Sequence, residues 1–356
     1  LHKLYKVLRA ARDQRGAIDF DTVETRIIFD AQRKIESIVP VVRNDAHKLI
    51  EECMLCANVA AARFFAANKL PILYRVHAGP TEKKLEGLRK FLGELGLELY
   101  GGEKPTPLHY QELLQQIAER DDAHVIQTML LRSLSQAVYQ PENEGHFGLH
   151  YEAYAHFTSP IRRYADLLVH RGIRRVIRAD SGGQAVRRAE GAAPIPPARI
   201  FPYDKAAMVV HGEHCSMTER RADDATREVD AWLKCEYLQD HVGDEFDGVI
   251  SAVTSFGLFV ELKDLYIEGL VHVTGLPGDY YQFDPAKQRL TGERSGTSFQ
   301  LGGTVRVQVA RVDLDDRKID LEMVRTSKPG KRAAAKTGKS KKGAGAKAGK
   351  GGGRKD

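Results

Sequence analysis

Apolar residues recur at helical spacing along the first half of the chain. Ala46, Leu49, Ile50, Cys53, Met54, Ala57 and Phe64 predict an amphipathic helix that begins at Asp45 and turns this face to a core. Leu85, Leu88, Phe91, Leu92 and Leu95 predict a second helix, stopped by Gly96. An earlier stripe of Leu1, Leu4, Tyr5, Leu8 and Ala11 ends at Gly16. Ser159-Pro160 reads as an N-cap followed by proline at the first helical position, with Ile161, Tyr164, Ala165, Leu168 and Val176 continuing the period. Residues 1–180 therefore read as mostly helical, and 181–204 as a Gly/Pro/Ala/Arg-rich connection. Met208, Cys215, Ala222, Val229, Trp232 and Leu233 then mark a long helix. From Asp244 the period changes to two, clearest in Val305-Arg306-Val307-Gln308-Val309, and this strand-rich stretch ends near Val324.

Within that stretch, Phe246-Asp247-Gly248-Val249-Ile250, Ser255-Phe256-Gly257-Leu258-Phe259-Val260 and Glu268-Gly269-Leu270-Val271-His272 are short strand candidates with glycines at the bends. Such a set suits a small OB barrel. The order G-V-I, F-G-L-F-V, G-L-V-H-V resembles the S1-type RNA-binding domain. By that resemblance Phe256, Phe259 and His272 form a face on which bases stack; the alternative is that these rings fill the barrel.

Charge changes the picture at one end. Residues 328–356 carry 11 Lys/Arg and one acid, whereas the other 327 residues carry 43 Lys/Arg and 47 Asp/Glu. The excess basicity is thus a tail, with Gly, Ala and Ser between its lysines. Such a segment cannot bury enough surface to fold alone, and it reads as a disordered nucleic-acid arm or a solubilising tail. No apolar run approaches bilayer length, and no signal-peptide pattern opens the sequence. Cys53 and Cys56 lack a second metal-spaced pair; with Cys215 and Cys235 they read as free thiols of a reducing cytoplasm. The expectation is a cytoplasmic protein with no membrane partner.

Candidate chemistry concentrates at Arg162 and Arg163. The predicted helix start puts both in its first turn, where cations oppose the helix dipole. Two guanidinium groups beside free N–H groups make a phosphate cradle; the alternative is a solvated helix start.

His146-Phe147-Gly148-Leu149, the run Tyr154-Ala155-His156-Phe157-Thr158-Ser159-Pro160-Ile161-Arg162-Arg163-Tyr164, and His170-Arg171 resemble the signature of the RNase II/RNB exoribonuclease family. The stretches Arg43–Met54 and His214–Ala222 extend the resemblance, which covers nearly the whole chain outside 181–204. It implies an α+β architecture: the C-terminal part of the RNB catalytic fold over 1–240, an S1-type OB-fold barrel over 241–326, and a disordered Lys-rich tail over 327–356. It also implies processive hydrolysis of RNA from the 3′ end to nucleoside 5′-monophosphates, with two metal ions activating water and holding the leaving oxygen.

Site roles follow from the same resemblance. Arg162 matches the arginine that contacts the scissile phosphate, and Arg163 supports it or binds a neighbouring phosphate. Glu51 matches a carboxylate near the terminal nucleotide, and Phe20 the aromatic that stacks on the 3′-terminal base. Read without the resemblance, Phe20 is a core residue and Glu51 part of a solvated helix face. The family holds Mg²⁺ with aspartates spaced D-x5-D-x-D-D, and no metal ligand is assigned within this sequence. Asp313-Leu314-Asp315-Asp316 imitates the end of that pattern but lies between two strand patterns, where a hairpin turn is expected. Asp121-Asp122 and Asp223-Asp224 read as solvated. With neither an initiator Met nor an N-cap before Leu1, the sequence reads as starting inside a catalytic domain, with the Mg²⁺ ligands expected upstream. Single-stranded and structured RNA are the implied partners, the ribosome or RNA-decay factors are further candidates, and the implied state is a monomer. The alternative function is a non-catalytic RNA-binding protein or inactive fragment.

Overall fold

The computed structural model describes residues 1–20, 24–120, 122–178 and 196–324. The Lys-rich tail, Asp121 and most of the 181–204 connection lie outside the described residues. In chain order the elements are α1 (His2–Arg15), β1 (Thr25–Phe29), β2 (Ile35–Pro40), α2 (Asp45–Asn68), β3 (Tyr74–Val76), α3 (Glu82–Glu94), α4 (Pro107–Ile117), α5 (Ala123–Ser133), β4 (Val138–Gln140), α6 (Tyr164–Arg178), α7 (Pro197–Ile200) and α8 (Lys205–Gln239). Strands follow: β5 (Glu245–Thr254), β6 (Gly257–Leu262), β7 (Ile267–His272), β8 (Tyr281–Asp284), β9 (Arg289–Gly292), β10 (Ser298–Gln300), β11 (Thr304–Asp313) and β12 (Lys318–Met323).

Several packed groups build the helical part. α3, α4 and α5 bury Leu92, Tyr110, Ile117, Ile126 and Leu130 against one another. A second core joins α6, α8 and β4 through Tyr139, Leu168, Phe201 and Met208. α2 meets α6 through Phe65 and Val169, and there the approach is close. A Cβ on Gly172 would stand 2.3 Å from Cε1 of Phe65, so only glycine fits. The predicted end of α1 is met at Gly16, which adopts φ 78° as a left-handed cap. Leu85, Leu88, Phe91 and Leu92 are buried as their spacing requires.

Strands β11-β12-β7-β6-β5 close into a barrel, antiparallel except for the parallel β12–β7 pair. Leu258, Val260, Leu262, Ile267, Val271, Val307 and Val309 fill it. A three-stranded sheet, β10-β9-β8, is inserted between β7 and β11. The acidic run at 313–316 is a hairpin turn, with Asp313 Oδ1 accepting the Asp316 N–H at 3.0 Å between β11 and β12.

Four expectations need correction. The buried face of α2 is Leu49, Glu52, Leu55, Asn58, Val59, Ala62 and Phe65, rotated from the predicted face, while Ile50 is 59% exposed. Polar Glu52 and Asn58 can be buried because each has a hydrogen-bond partner, so hydrophobicity alone picked the wrong face. The α1 stripe does not form a core: Leu1 and Leu4 are exposed, and the buried residue of that helix is Arg12. In α8, Ala222 and Val229 are exposed, within a run from Arg220 to Asp230 that is exposed throughout, and Trp232 just beyond it is exposed as well. A helix polar nearly all round suits a solvent-crossing span between packed ends.

The last correction concerns Arg162 and Arg163. α6 begins at Tyr164, and Ser159 is not its N-cap. Residues 159–163 form a separate turn in which the Ser159 carbonyl accepts the N–H groups of Arg162 and Arg163. Fully buried Asp166 closes it, its Oδ2 accepting the Ser159 N–H at 2.7 Å and Arg163 Nη2 at 2.9 Å. The carboxylate that organises this turn thus comes from inside the helix. Ile161, expected on the apolar face, is 98% exposed at the turn's tip.

Candidate active site

The start of α2 is set by Asn44, whose Oδ1 accepts the N–H groups of Ala46 and His47 at 3.0 and 3.1 Å. The turns that follow bring Glu51 to a cavity of about 510 Å³. Ile50, Met54, Asn58, Tyr154 and Arg163 line it as well. Three of the apolar residues that sequence periodicity assigned to the core, Ala46, Ile50 and Met54, are therefore walls of a cavity.

Arg12 anchors one side. It is 6% exposed and gathers Glu52 at 2.9 Å, Asp19 at 3.2 Å and Glu51 at 3.3 Å. Burial would lower its pKa, but the hydrogen bond to Glu52 and the charges of Asp19, Glu52 and Glu51 reverse this, leaving it above the usual arginine value. Glu51 also pairs with Arg43, so both its oxygens are engaged.

The segment 154–158 is clamped from three elements. Asn58 of α2 donates Nδ2 to Tyr154 Oη at 2.9 Å and accepts the Phe157 N–H at 2.9 Å. Tyr139 of β4 meets His156 Nδ1 at 2.8 Å. His170 of α6 lies 2.9 Å from the Phe157 carbonyl, its ring stacked on Phe157 at 4.5 Å. Burial first, then the charges of Arg163 and Arg75, push the His156 pKa down to about 2. Burial, then His77 and Arg75, takes His146 to about 3. Both rings are neutral at physiological pH and serve as packed hydrogen-bonding scaffolding.

The clamped segment delivers two different arginines. Arg163 is half-buried, lines the cavity and is paired with Asp166. Arg162 is exposed, and its side chain has no hydrogen-bond or ion-pair partner among the described residues. A guanidinium fixed by its backbone but free at its donors is available to a phosphate oxygen.

Arg163 and Glu51 thus share the cavity, and Arg162 precedes Arg163 on the same turn. Phe20 is not among the cavity residues; it packs, half-buried, against the α3–α5 core. Phe256, Phe259 and His272 belong to the barrel. Phe256 is 47% exposed and meets Phe259 edge-on at 6.0 Å. Phe259 and His272 point to the barrel's outside, on neighbouring strands where Phe259 pairs with Leu270 and Gly257 with His272. The two phenylalanines line a cleft of about 710 Å³ between α8 and the barrel; His272 lies apart, bonded to Thr274 at 2.8 Å. These rings do not fill the barrel. Sequence reasoning missed Arg12, Asn58 and Asp166, all polar residues on helices whose interrupted apolar period was the available signal. Among the described residues no three His, Cys, Asp or Glu side chains converge so as to hold a metal ion.

The RNB domain family profile matches residues 1–179, and that of the S1 RNA binding domain matches 239–324. Ribonuclease R of Vibrio parahaemolyticus is 59% identical over 92% of this chain, and that of Escherichia coli 51% identical over 96%. The chain spans 38% and 41% of those two relatives' lengths. Among solved structures, the apo form of Mycoplasma genitalium RNase R superposes with TM-score 0.79 at 27% identity, covering 91% of this chain and 48% of that one. The same enzyme in complex with ribose methylated single-stranded RNA also gives 0.79. With the cavity, the clamped arginine turn and the barrel in this order, the chain belongs to the RNB family and carries an S1 RNA binding domain after its RNB part.

Proposed function

We propose that this chain forms part of a 3′–5′ exoribonuclease that hydrolyses RNA processively to nucleoside 5′-monophosphates. The observation that carries this reading is Arg162: an unpaired guanidinium on a turn clamped by a buried carboxylate, beside a cavity shared by Arg163 and Glu51. Arg162 donates to the scissile phosphate and stabilises the charge that builds on it in the transition state. Arg163, held by Asp166, binds the adjacent phosphate. Glu51, steadied by Arg12 and Arg43, accepts from a ribose hydroxyl. Phe20, half-buried against the α3–α5 core, stacks on the 3′-terminal base with the part of its ring left exposed. Phe256, Phe259 and His272 hold RNA by stacking on its bases.

The described residues offer no cluster that fits the Mg²⁺ expected for such a reaction, so no step is routed through it; its aspartates would belong to a part of the protein beyond these residues. No helix among the described residues is long and apolar enough to cross a membrane, and we place the protein in the cytoplasm as a monomer acting on single-stranded and structured RNA. The test is single-turnover cleavage of single-stranded RNA by a protein in which this chain is joined to a segment carrying the D-x5-D-x-D-D aspartates. Arg162→Ala should lower kcat by about 10²-fold or more, the usual cost of one transition-state donor, with RNA affinity nearly kept. Normal cleavage at saturation with collapsed affinity would make Arg162 a binding residue only. Absence of 5′-monophosphate release from the joined protein would favour RNA binding without catalysis.

A further inference from the structure

α6 places Arg171, Arg174, Arg175 and Arg178 at positions i, i+3, i+4 and i+7, one face of the helix. That face looks onto α7 and the chain that follows it. Arg171 Nε donates to the Ile200 carbonyl at 3.0 Å, Nη1 bonds Tyr203 Oη, and the guanidinium lies 5.0 Å over the Tyr203 ring. Arg175 Nη1 donates to the Phe201 carbonyl at 3.3 Å. Arg171 and Arg175 thus fix the α6–α7 junction. A cleft of about 250 Å³ opens there, lined by Arg171, Arg174, Arg199 and Ile200. Among the described residues three of its four lining residues are arginines and none is a carboxylate.

The side chains of Arg174 and Arg199 are exposed and have no hydrogen-bond or ion-pair partner among the described residues. Some exposed arginines elsewhere find acids, as Arg43 meets Glu51, Arg120 meets Asp122, Arg227 meets Asp224 and Arg311 meets Asp313; what sets Arg174 and Arg199 apart is that they line one cleft together. Three like charges around so small a space repel one another, and an anion seated among them removes that cost. The cleft is smaller than a typical organic-ligand pocket, and forked guanidinium donors match phosphate oxygens.

We infer that this α6–α7 cleft is a second phosphate-binding site, which takes a backbone phosphate of RNA away from the Arg162 turn. From Tyr164 to Arg174 the helix advances about 15 Å, so a phosphate in the cleft is not the one that faces Arg162. This inference rests on the proposal that the chain binds RNA.

The test uses the full chain and a fluorescein-labelled single-stranded RNA, with affinity read by anisotropy over a range of KCl concentrations. For single strands each neutralised phosphate contributes about 0.7 to the slope of log K against log salt. The double variant Arg174→Gln/Arg199→Gln should lose about 1.4 from that slope if each arginine meets one phosphate, and Arg174→Lys/Arg199→Lys should retain it. Both side chains are exposed, and circular dichroism checks that the variants fold. An unchanged slope in the Gln variant, with the wild type binding RNA normally, overturns the cleft alone. A wild type that fails to bind RNA overturns both the cleft and the RNA reading. Titration with orthophosphate separates a free anion from a polymer: tight binding that the Gln variant loses, with no change in the RNA slope, would assign the cleft to a small anion and overturn the inference.

Discussion

Asp166→Ala should cost substantial stability. The side chain is fully buried, and Oδ2 accepts both the Ser159 N–H at 2.7 Å and Arg163 Nη2 at 2.9 Å. Alanine leaves a buried N–H without an acceptor and the Arg163 charge without its partner. Breaking a buried ion pair from one side costs about 3–5 kcal/mol. Arg163 keeps 19% of its side chain in solvent, which places the expected loss at the lower end, ~3 kcal/mol. Asp166→Asn keeps the shape and one acceptor but replaces charge-assisted bonds with neutral ones, so about 1–2 kcal/mol is expected. Urea unfolding followed by circular dichroism gives the differences, and a cycle with Arg163→Met isolates the pair, with a coupling of about 1 kcal/mol or more expected. Zero coupling, or a loss below about 0.5 kcal/mol for Asp166→Ala, the range of an ordinary surface change, would refute the claim that this carboxylate holds the arginine turn.

Gly172→Ala should destabilise by about 1–3 kcal/mol through overpacking, because its Cβ meets the Phe65 ring at 2.3 Å, and Phe65→Leu in the same chain should recover part of the loss in a thermal melt. Folding holds His156 and His146 neutral, with pKa values of about 2 and about 3 against an ordinary 6.5. The unfolded chain therefore takes up protons that the folded one refuses: their contribution is complete above 6.5 and is lost as pH falls below it, by up to about 1.4 kcal/mol per unit for each ring. Urea midpoints at pH 7.5 and 5 check this, and His156→Phe should flatten the dependence. Replacing Phe256 and Phe259 with Ala should weaken RNA affinity by about 1–3 kcal/mol per lost stack and leave the salt slope unchanged; an intact far-ultraviolet spectrum must accompany the result.

Helix α3 and the barrel were legible in sequence because their cores are purely apolar, so a period of 3.6 or two maps directly onto burial. The region around the cavity was not legible in the same way. There Arg12, Glu52, Asn58 and Asp166 are buried, each with a hydrogen-bond partner, while Ile50 and Ile161 stand in solvent. A hydrophobicity pattern ranks such residues in the wrong order. Arg162, Arg163 and Glu51 were named through motif resemblance, and of these Glu51 and Arg163 line one cavity; the clamp on the arginine turn was not legible. Asp166 lies seven residues from the Ser159 amide it holds, a distance at which no local cap signature operates.

The exposed run Arg220–Asp230 gives α8 the character of a length gauge. Its flanks are fixed: Met208 and Cys215 are buried in the helical part, and Cys235 and Leu238 in the core shared with the barrel. The barrel is also tied from another side, where Arg132 of α5 donates to the Ser251 carbonyl at 3.2 Å and Lys287 meets Glu94 at 3.0 Å. Most side chains in the run face water, with Arg227 and Asp230 lining the cleft beside the barrel and Glu228 meeting Arg317, so outside those three positions the run can change composition freely. Its residue count cannot drift in the same way: one inserted residue turns everything beyond it by roughly 100° and advances it by about 1.5 Å. The barrel would then swing its outer aromatics around the helix axis and tear the α5 contacts. What this segment transmits is angle, encoded in how many residues it has far more than in which ones they are.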